Sequence, residues 1–308
     1  MSSKNLKQLE SKLNQEVDKV HNWLLANGLS VHYVDKTQYM IIKGPGQKLA
    51  DGHSFKLFMG EHEIEQTSSY TYLGIEVDDK LNWKVQINKM CAKLANICGV
   101  VSKARHYLDR KCLMTIYNSL FDSCLRYGIL GWGTALEQEL NRIKMLQNRV
   151  VRFITFSKFR TRAAPLYSEL KVIPLRDQLF MQRSIFMHSF SYNNLPFVFN
   201  TYCQQPQHRY STRYATSGNY MLPRATTNCG QSSIKYTGPK VWAEIPKALK
   251  EIAYRKPFSK KLKNHILSLN FEELPPTPTR DSTENQGDSL LEAIRSLFLD
   301  EDIINETF

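Results

Sequence analysis

Apolar side chains recur three or four positions apart at Leu6, Leu9, Leu13, Val17, Val20 and Leu24, which gathers them on one face and predicts an amphipathic helix over 4–26. Ser2 or Ser3 is available as its N-cap, and Asn27-Gly28 supplies a stop. Three β-prone runs follow, 39–42, 55–59 and 70–77. The period then changes. Trp83, Ile87, Met90, Leu94, Ile97 and Val101 describe a long helix opening at Leu81 with a narrow apolar seam. A second helix after Asp109 carries Leu113, Ile116, Tyr117, Leu120, Phe121 and Cys124, and a third is spelled by Leu136, Leu140, Ile143, Leu146, Val150 and Ile154. Short turns at Tyr127-Gly128 and Trp132-Gly133 join these into a helical bundle.

Beyond the bundle, Pro165 and Pro174 stand where helices begin, and 175–192 repeats the amphipathic pattern. Residues 200–238 are rich in Gln, Thr, Ser, Tyr and Asn without a period and predict an extended loop. Two closing helices follow, one after Pro239 and one over 258–269. The run Leu274-Pro275-Pro276-Thr277-Pro278-Thr279 marks a boundary before a flexible tail with one short helix near 290–299. The reading is a mainly α chain in four parts: a partial α/β portion (1–79), a helical bundle (80–156), a mostly helical region with an extended loop (157–270) and the tail (271–308).

Charge sharpens this picture. The chain of 308 residues carries a formal +12, but 271–308 holds ten acidic residues against Arg280 and Arg295, so it bears −8 and leaves +20 on residues 1–270. A folded body that basic attracts polyanions, nucleic acid first, with an acidic membrane surface or an acidic protein as rivals. Six cysteines at 91, 98, 112, 124, 203 and 229 form no C-x-x-C pair and no zinc-finger spacing, so they are expected to be free thiols with no metal site. The first twenty residues are polar and no apolar run reaches the roughly 18 residues of a membrane span. An intracellular protein, nuclear or cytoplasmic, that does not meet a membrane is the expectation.

The basic residues cluster: Lys80, Lys84, Lys89 and Lys93 on one helix, Lys103, Arg105, Arg110 and Lys111 around the next turn, then Arg149, Arg152, Lys158, Arg160 and Arg162. Solvated helix faces often look like this. Here Tyr107, Phe153, Phe156 and Phe159 are interleaved, a mixture suited to phosphate contacts with stacking. The eight histidines are scattered and spell no triad. The stretch Lys43-Gly44-Pro45-Gly46-Gln47-Lys48 lacks the ending of a phosphate loop and reads as a turn. Arg213 and Arg224 can meet phosphate or pair with the acidic tail. Lys36, leaving a turn toward a strand edge, can supply charge or a proton to a departing phosphate, although alone it is an ordinary surface lysine.

Taken together, Ser3-Lys4-Asn5-Leu6, Val20-His21-Asn22-Trp23-Leu24-Leu25-Ala26-Asn27, Leu29-Ser30, Lys36-Thr37, Tyr72-Leu73-Gly74-Ile75 and Leu81-Asn82-Trp83 resemble the reverse transcriptases of non-LTR retrotransposons. The resemblance continues through Gln147-Asn148-Arg149-Val150-Val151-Arg152-Phe153-Ile154-Thr155, Ala164-Pro165-Leu166-Tyr167, Tyr210-Ser211-Thr212-Arg213, Leu222-Pro223-Arg224 and Lys260-Lys261-Leu262-Lys263. It implies that residues 1–79 are a palm remnant and 80–156 a thumb. It also implies that Lys36 assists pyrophosphate departure and that Tyr72, Leu73 and Gly74 form the primer grip. The implied activity is RNA-directed DNA synthesis at a nicked genomic target. The implied partners are an RNA template, a DNA primer or target, and upstream palm and fingers if the chain is part of a longer product.

Polymerases of this class hold Mg2+ with carboxylates. The resemblance places Met1 just past the paired catalytic aspartates, so the expectation is a chain that binds template–primer, holds no cofactor itself and is inactive alone. Asp78-Asp79, ahead of Leu81, reads as a cap for free amides and not as the missing pair. A rival expectation is a degenerate or domesticated fragment acting as a protein-interaction module through its basic face.

Overall fold

The first helix packs its predicted apolar face on a small sheet. The computed structural model describes residues 6–33, 36–42, 55–205 and 218–272. Helix α1 (Leu6–Ala26) sets Leu9, Leu13 and Val17 against Phe55, Leu57, Met59 and Ile64. Strands β1 (Gln38–Tyr39), β2 (Leu57–Met59) and β3 (His62–Gln66) form that sheet in the order β1-β3-β2, with β1 parallel and β2 antiparallel to β3. Two corrections to the sequence reading arise here. The run 39–42 is a strand only over Gln38–Tyr39, and β3 was not foreseen. In β3 only Ile64 is buried, so no apolar alternation announces it.

The run 70–77 is not one strand but a hairpin of β4 (Ser69–Tyr72) and β5 (Ile75–Asp78), in register from Ser69 opposite Asp78 to Tyr72 opposite Ile75. Leu73 and Gly74 turn the chain with φ of +48° and +77°, the paired left-handed conformation that suits the twist of a two-residue hairpin turn. Glycine adopts it freely, whereas leucine does so at a cost of roughly 1–2 kcal/mol.

Helix α2 (Lys84–Ala104) starts three residues later than its periodicity indicated. Leu81 and Trp83 have φ of +51° and +63°, and the Asp78 carboxylate accepts the backbone N–H groups of Lys80, Asn82 and Trp83 at 3.1, 3.1 and 2.8 Å. The aspartate thus satisfies free amides as expected, but of the turn that enters the helix. Asp109 accepts the Cys112 N–H at 2.9 Å and opens α3 (Arg110–Ile116). This helix runs on through a π-helical turn (Tyr117–Asp122) into α4 (Ser123–Arg126), and α5 (Ile129–Trp132) leads to α6 (Glu137–Ile154).

Helices α2 and α6 lie side by side and run parallel, because their contacts advance together. Arg142 donates to Asn88 at 2.7 Å, the Cys98 thiol lies 3.6 Å from the Leu146 carbonyl, and Arg105 meets Phe153. Their seams bury Ile87, Leu94, Val101, Ile143, Val150 and Ile154 in one core.

Helices α7 (Ala163–Leu170) and α8 (Leu175–Ser191) follow, then α9 (Asn228–Ser232), α10 (Ile234–Glu244), α11 (Lys247–Lys250) and α12 (Arg255–Glu272). Helical structure therefore begins within the stretch expected to be a loop, and Pro239 sits inside α10 instead of ahead of it. Met181, Ile185, Trp242, Phe258 and Leu262 form a second core. The architecture is mainly α, as the periodicity indicated. The acidic tail, Arg213, the 43–48 turn and the Ser2 or Ser3 cap lie outside the described residues.

Candidate nucleic-acid interface

The β4–β5 hairpin is fastened to the bundle at several points. Glu76 takes hydrogen bonds from Lys89 Nζ at 2.7 Å and Thr71 Oγ1 at 2.6 Å, while its N–H donates to Gln86 Oε1 at 2.9 Å. The Lys89 bond, followed by the Thr71 bond, holds the Glu76 carboxyl below the usual glutamate range. At the tip, the Tyr127 hydroxyl donates to the Leu73 carbonyl at 2.5 Å. Gly128, at φ +64°, lets Ile75 approach so closely that an added Cβ would lie 2.3 Å from Ile75 Cδ1. Trp83 Nε1 reaches Thr134 Oγ1 at 3.0 Å and closes the base.

These fastenings project Tyr72, Leu73 and Gly74 into solvent, with Leu73 72% exposed. Beside the tip is an open groove of about 350 Å³ bounded by Gly74, Lys89, Lys93, Ser123 and Tyr127. Lys36 is exposed, and its carbonyl accepts the Tyr70 hydroxyl at 3.3 Å, so the backbone at Lys36 lies against β4, two residues before Tyr72.

From the groove the polar flank of α2 continues. Lys89, Lys93, Asn96, Val100 and Lys103 are all exposed and follow at steps of four and three, one stripe along the helix. At 1.5 Å per residue the stripe from Lys89 to Lys103 is roughly 20 Å long. It ends where the C-termini of α2 and α6 meet. There the Arg105 guanidinium lies 4.9 Å from the Phe156 ring centre and 5.8 Å from that of Phe153, and Arg149 lies 5.5 Å from Phe153. These cation–π contacts knit charge and aromatic surface together.

Arg149, Lys158, Arg160 and Arg162 are exposed, and none of them nor Lys103 or Arg105 has a carboxylate in ion-pair distance among the described residues. Arg152 differs. It is half-buried, and its Nε donates to the Thr161 carbonyl at 2.8 Å, so it closes the loop after α6. Arg110 is paired with Glu169 at 2.7 Å, and Arg224 is exposed on a separate segment.

The structure therefore brings the predicted residues into two groups, the hairpin tip and the α2–α6 end, joined by one face of α2. Tyr127 and Gln86, which fix the tip, were not foreseen as site residues. Tyr127 read only as part of a turn, and no sequence signal links it to a carbonyl 54 positions away.

Both oxygens of Asp78, the buried member of the Asp78-Asp79 pair, are committed to backbone N–H groups. No group of three His, Cys, Asp or Glu side chains among the described residues is placed to hold an ion. The six cysteines are free, and burial pushes the Cys98 thiol up to about 11. No helix among the described residues is long and apolar enough to cross a membrane.

Sequence comparison adds relatives. Over 120 residues, 38% of the chain, it is 32% identical to the RNA-directed DNA polymerase from mobile element jockey of Drosophila melanogaster, 13% of which is covered. Over 127 residues, 40% of the chain, it is 27% identical to 14% of the probable RNA-directed DNA polymerase from transposon X-element of the same fly. A third match, 30% over 122 residues, is to the probable RNA-directed DNA polymerase from transposon BS, again 13% of that protein. The matched stretch thus spans 13–14% of these relatives' own length. The relatives agree with the resemblance carried by the motifs: the chain is similar to part of a reverse transcriptase from a mobile element. No family model matches the chain, and no solved structure matches it.

Proposed function

We propose that this chain is the part of a mobile-element reverse transcriptase that grips the template–primer, with α2 as the supporting helix. The observation that carries the reading is the continuous face from the exposed 72–74 tip, along the lysine stripe, to the basic and aromatic end at Arg105 and Arg149. A strand laid along about 20 Å of helix presents several phosphates, and Lys93 and Lys103, which have no ion-pair partner among the described residues, meet them without any base-specific contact.

In this reading Tyr72, Leu73 and Gly74 steady the primer end, and the neighbouring groove with Lys89 and Lys93 receives its backbone. Lys89 serves two roles, because its ammonium already holds Glu76. Lys36 lies on the side of β4 and assists the leaving phosphate only when the rest of a catalytic centre is supplied. In this reading the chain holds nucleic acid, and bond formation is left to Mg2+-binding carboxylates outside the described residues.

The test is a photo-cross-linking map of the full chain on a primed RNA template. Cross-links are expected at the hairpin tip, on the Lys89 to Lys103 stripe and around residues 149–162. Cross-links confined to α8, α10 and α12 would overturn the reading.

A further inference from the structure

We infer that Tyr107, Phe156 and Phe159 form a stacking platform for the bases of an unpaired RNA strand, at the end of α2 remote from the hairpin. The inference rests on the nucleic-acid reading of this face and narrows it to one form of the ligand. A duplex keeps its base faces inside its own stack and offers phosphates and sugars. A surface serving duplex alone needs charge but no rings.

Here the rings stand in water: Tyr107 is 89%, Phe156 52% and Phe159 81% exposed. Singly such rings are ordinary, since folded surfaces carry much apolar area. These three occur within two short segments, 107 and 156–159, that Arg105 ties together by lying beside the Phe156 ring at 4.9 Å. Phe156 has φ +56° and is the left-handed residue that ends α6, with the Ser157 N–H donating to the Arg152 carbonyl at 3.0 Å. It directs the chain out of α6 and leaves the ring outside the core instead of beneath it.

The charge around the rings is one-sided. Residues 103–111 and 149–162 hold nine basic side chains, of which Arg110 is paired with Glu169, and one carboxylate, Asp109, which is occupied as the cap of α3. The Arg105 Nε is buried without a hydrogen-bond partner among the described residues, so ring faces and no carboxylate hold its guanidinium. Cations along a path with rings beside it is the pattern that binds single strands with little sequence preference, because every base has a stacking face. An acidic peptide would neutralise the cations but has no regular series of flat groups for the rings. RNA is chosen over DNA because the template of the proposed activity is RNA.

The experiment measures binding of the full chain to labelled oligouridine, oligothymidine and a duplex of equal length by fluorescence anisotropy. The variant combines Tyr107→Leu, Phe156→Asn and Phe159→Leu; asparagine tolerates the left-handed backbone, so the loop is kept, and a melting curve checks that. Oligouridine affinity is expected to fall at least tenfold, duplex affinity to stay within twofold, and the salt dependence to stay unchanged. A single Phe159→Trp change is expected to hold or raise oligouridine affinity. Equal loss on oligouridine and duplex, no loss on oligouridine, or a ring-dependent loss on oligothymidine alone would overturn the inference. Wild-type protein that binds none of the three would instead overturn the nucleic-acid reading itself.

Discussion

The Tyr127 hydroxyl donates a 2.5 Å hydrogen bond to the carbonyl of Leu73, joining the end of α4 to the tip of a hairpin 54 residues earlier. An exposed two-residue turn with a leucine in the left-handed region has little of its own to fix it, so the bundle supplies the restraint. Tyr127→Phe is expected to cost about 1 kcal/mol of stability, the net worth of one hydrogen bond. Gly128→Ala is expected to cost more, about 1–3 kcal/mol, because its Cβ meets Ile75 at a positive φ. Hydrogen exchange at residues 72–76 checks both; exchange unchanged in each variant would show that the tip is held otherwise.

The Glu76–Lys89 contact makes the hairpin's attachment sensitive to acid. The folded carboxyl titrates below its ordinary value, chiefly through the Lys89 hydrogen bond. Its contribution is therefore complete above the usual glutamate pKa and is lost as pH falls through the lowered folded value. Hairpin protection measured by exchange is expected to fall below about pH 4.5, and Glu76→Gln to remove that step. A step that persists in the variant belongs to another group.

Arginines at the end of α6 and in the segment after it are expected to divide by role. Arg152→Gln loses the bond to the Thr161 carbonyl and is expected to destabilise the fold by about 1 kcal/mol. Arg160→Gln and Arg162→Gln remove exposed charge and are expected to leave the melting temperature unchanged while weakening nucleic-acid binding. Equal thermal effects from all three would contradict this division.

The helices were legible because Ile87, Leu94, Val101, Ile143 and Val150 repeat at the helical period, a signal that survives any tertiary detail. Strand β3 was not, since Ile64 is its sole buried side chain and strand periodicity needs at least two. The hairpin was hidden because Leu73 is a poor turn former, and only its tie to Tyr127 and the fit of Ile75 on Gly128 show why it turns there. Of the candidate site, the basic and aromatic residue types could be read from order alone, but not which of them the fold brings together. The structural task of Arg152 could not, because a side-chain bond to a carbonyl nine residues on leaves no compositional trace.

Asp78 carries structure in this reading. Asp78→Ala would leave three N–H groups without their acceptor at a buried position and is expected to cost at least about 2 kcal/mol. The full chain is expected to incorporate no nucleotide on a primed RNA template with magnesium or manganese. Incorporation that disappears in an Asp78→Ala, Asp79→Ala variant that remains folded would place the metal site here and overturn the assignment.

In the proposed function the face of α2 and the end of α6 hold nucleic acid through phosphates. The most direct measurement is the affinity of the full chain for a primed RNA template across a salt series, compared with a variant carrying Lys93→Gln, Lys103→Gln, Arg149→Gln and Lys158→Gln. Log affinity is expected to fall linearly with log salt, with a slope near −0.9 per contacted duplex phosphate. The variant is expected to bind at least tenfold more weakly at low salt and to flatten the slope by about two to four contacts, with its melting temperature intact. An unchanged slope and affinity in a folded variant would contradict the claim and leave the basic face as solvated surface.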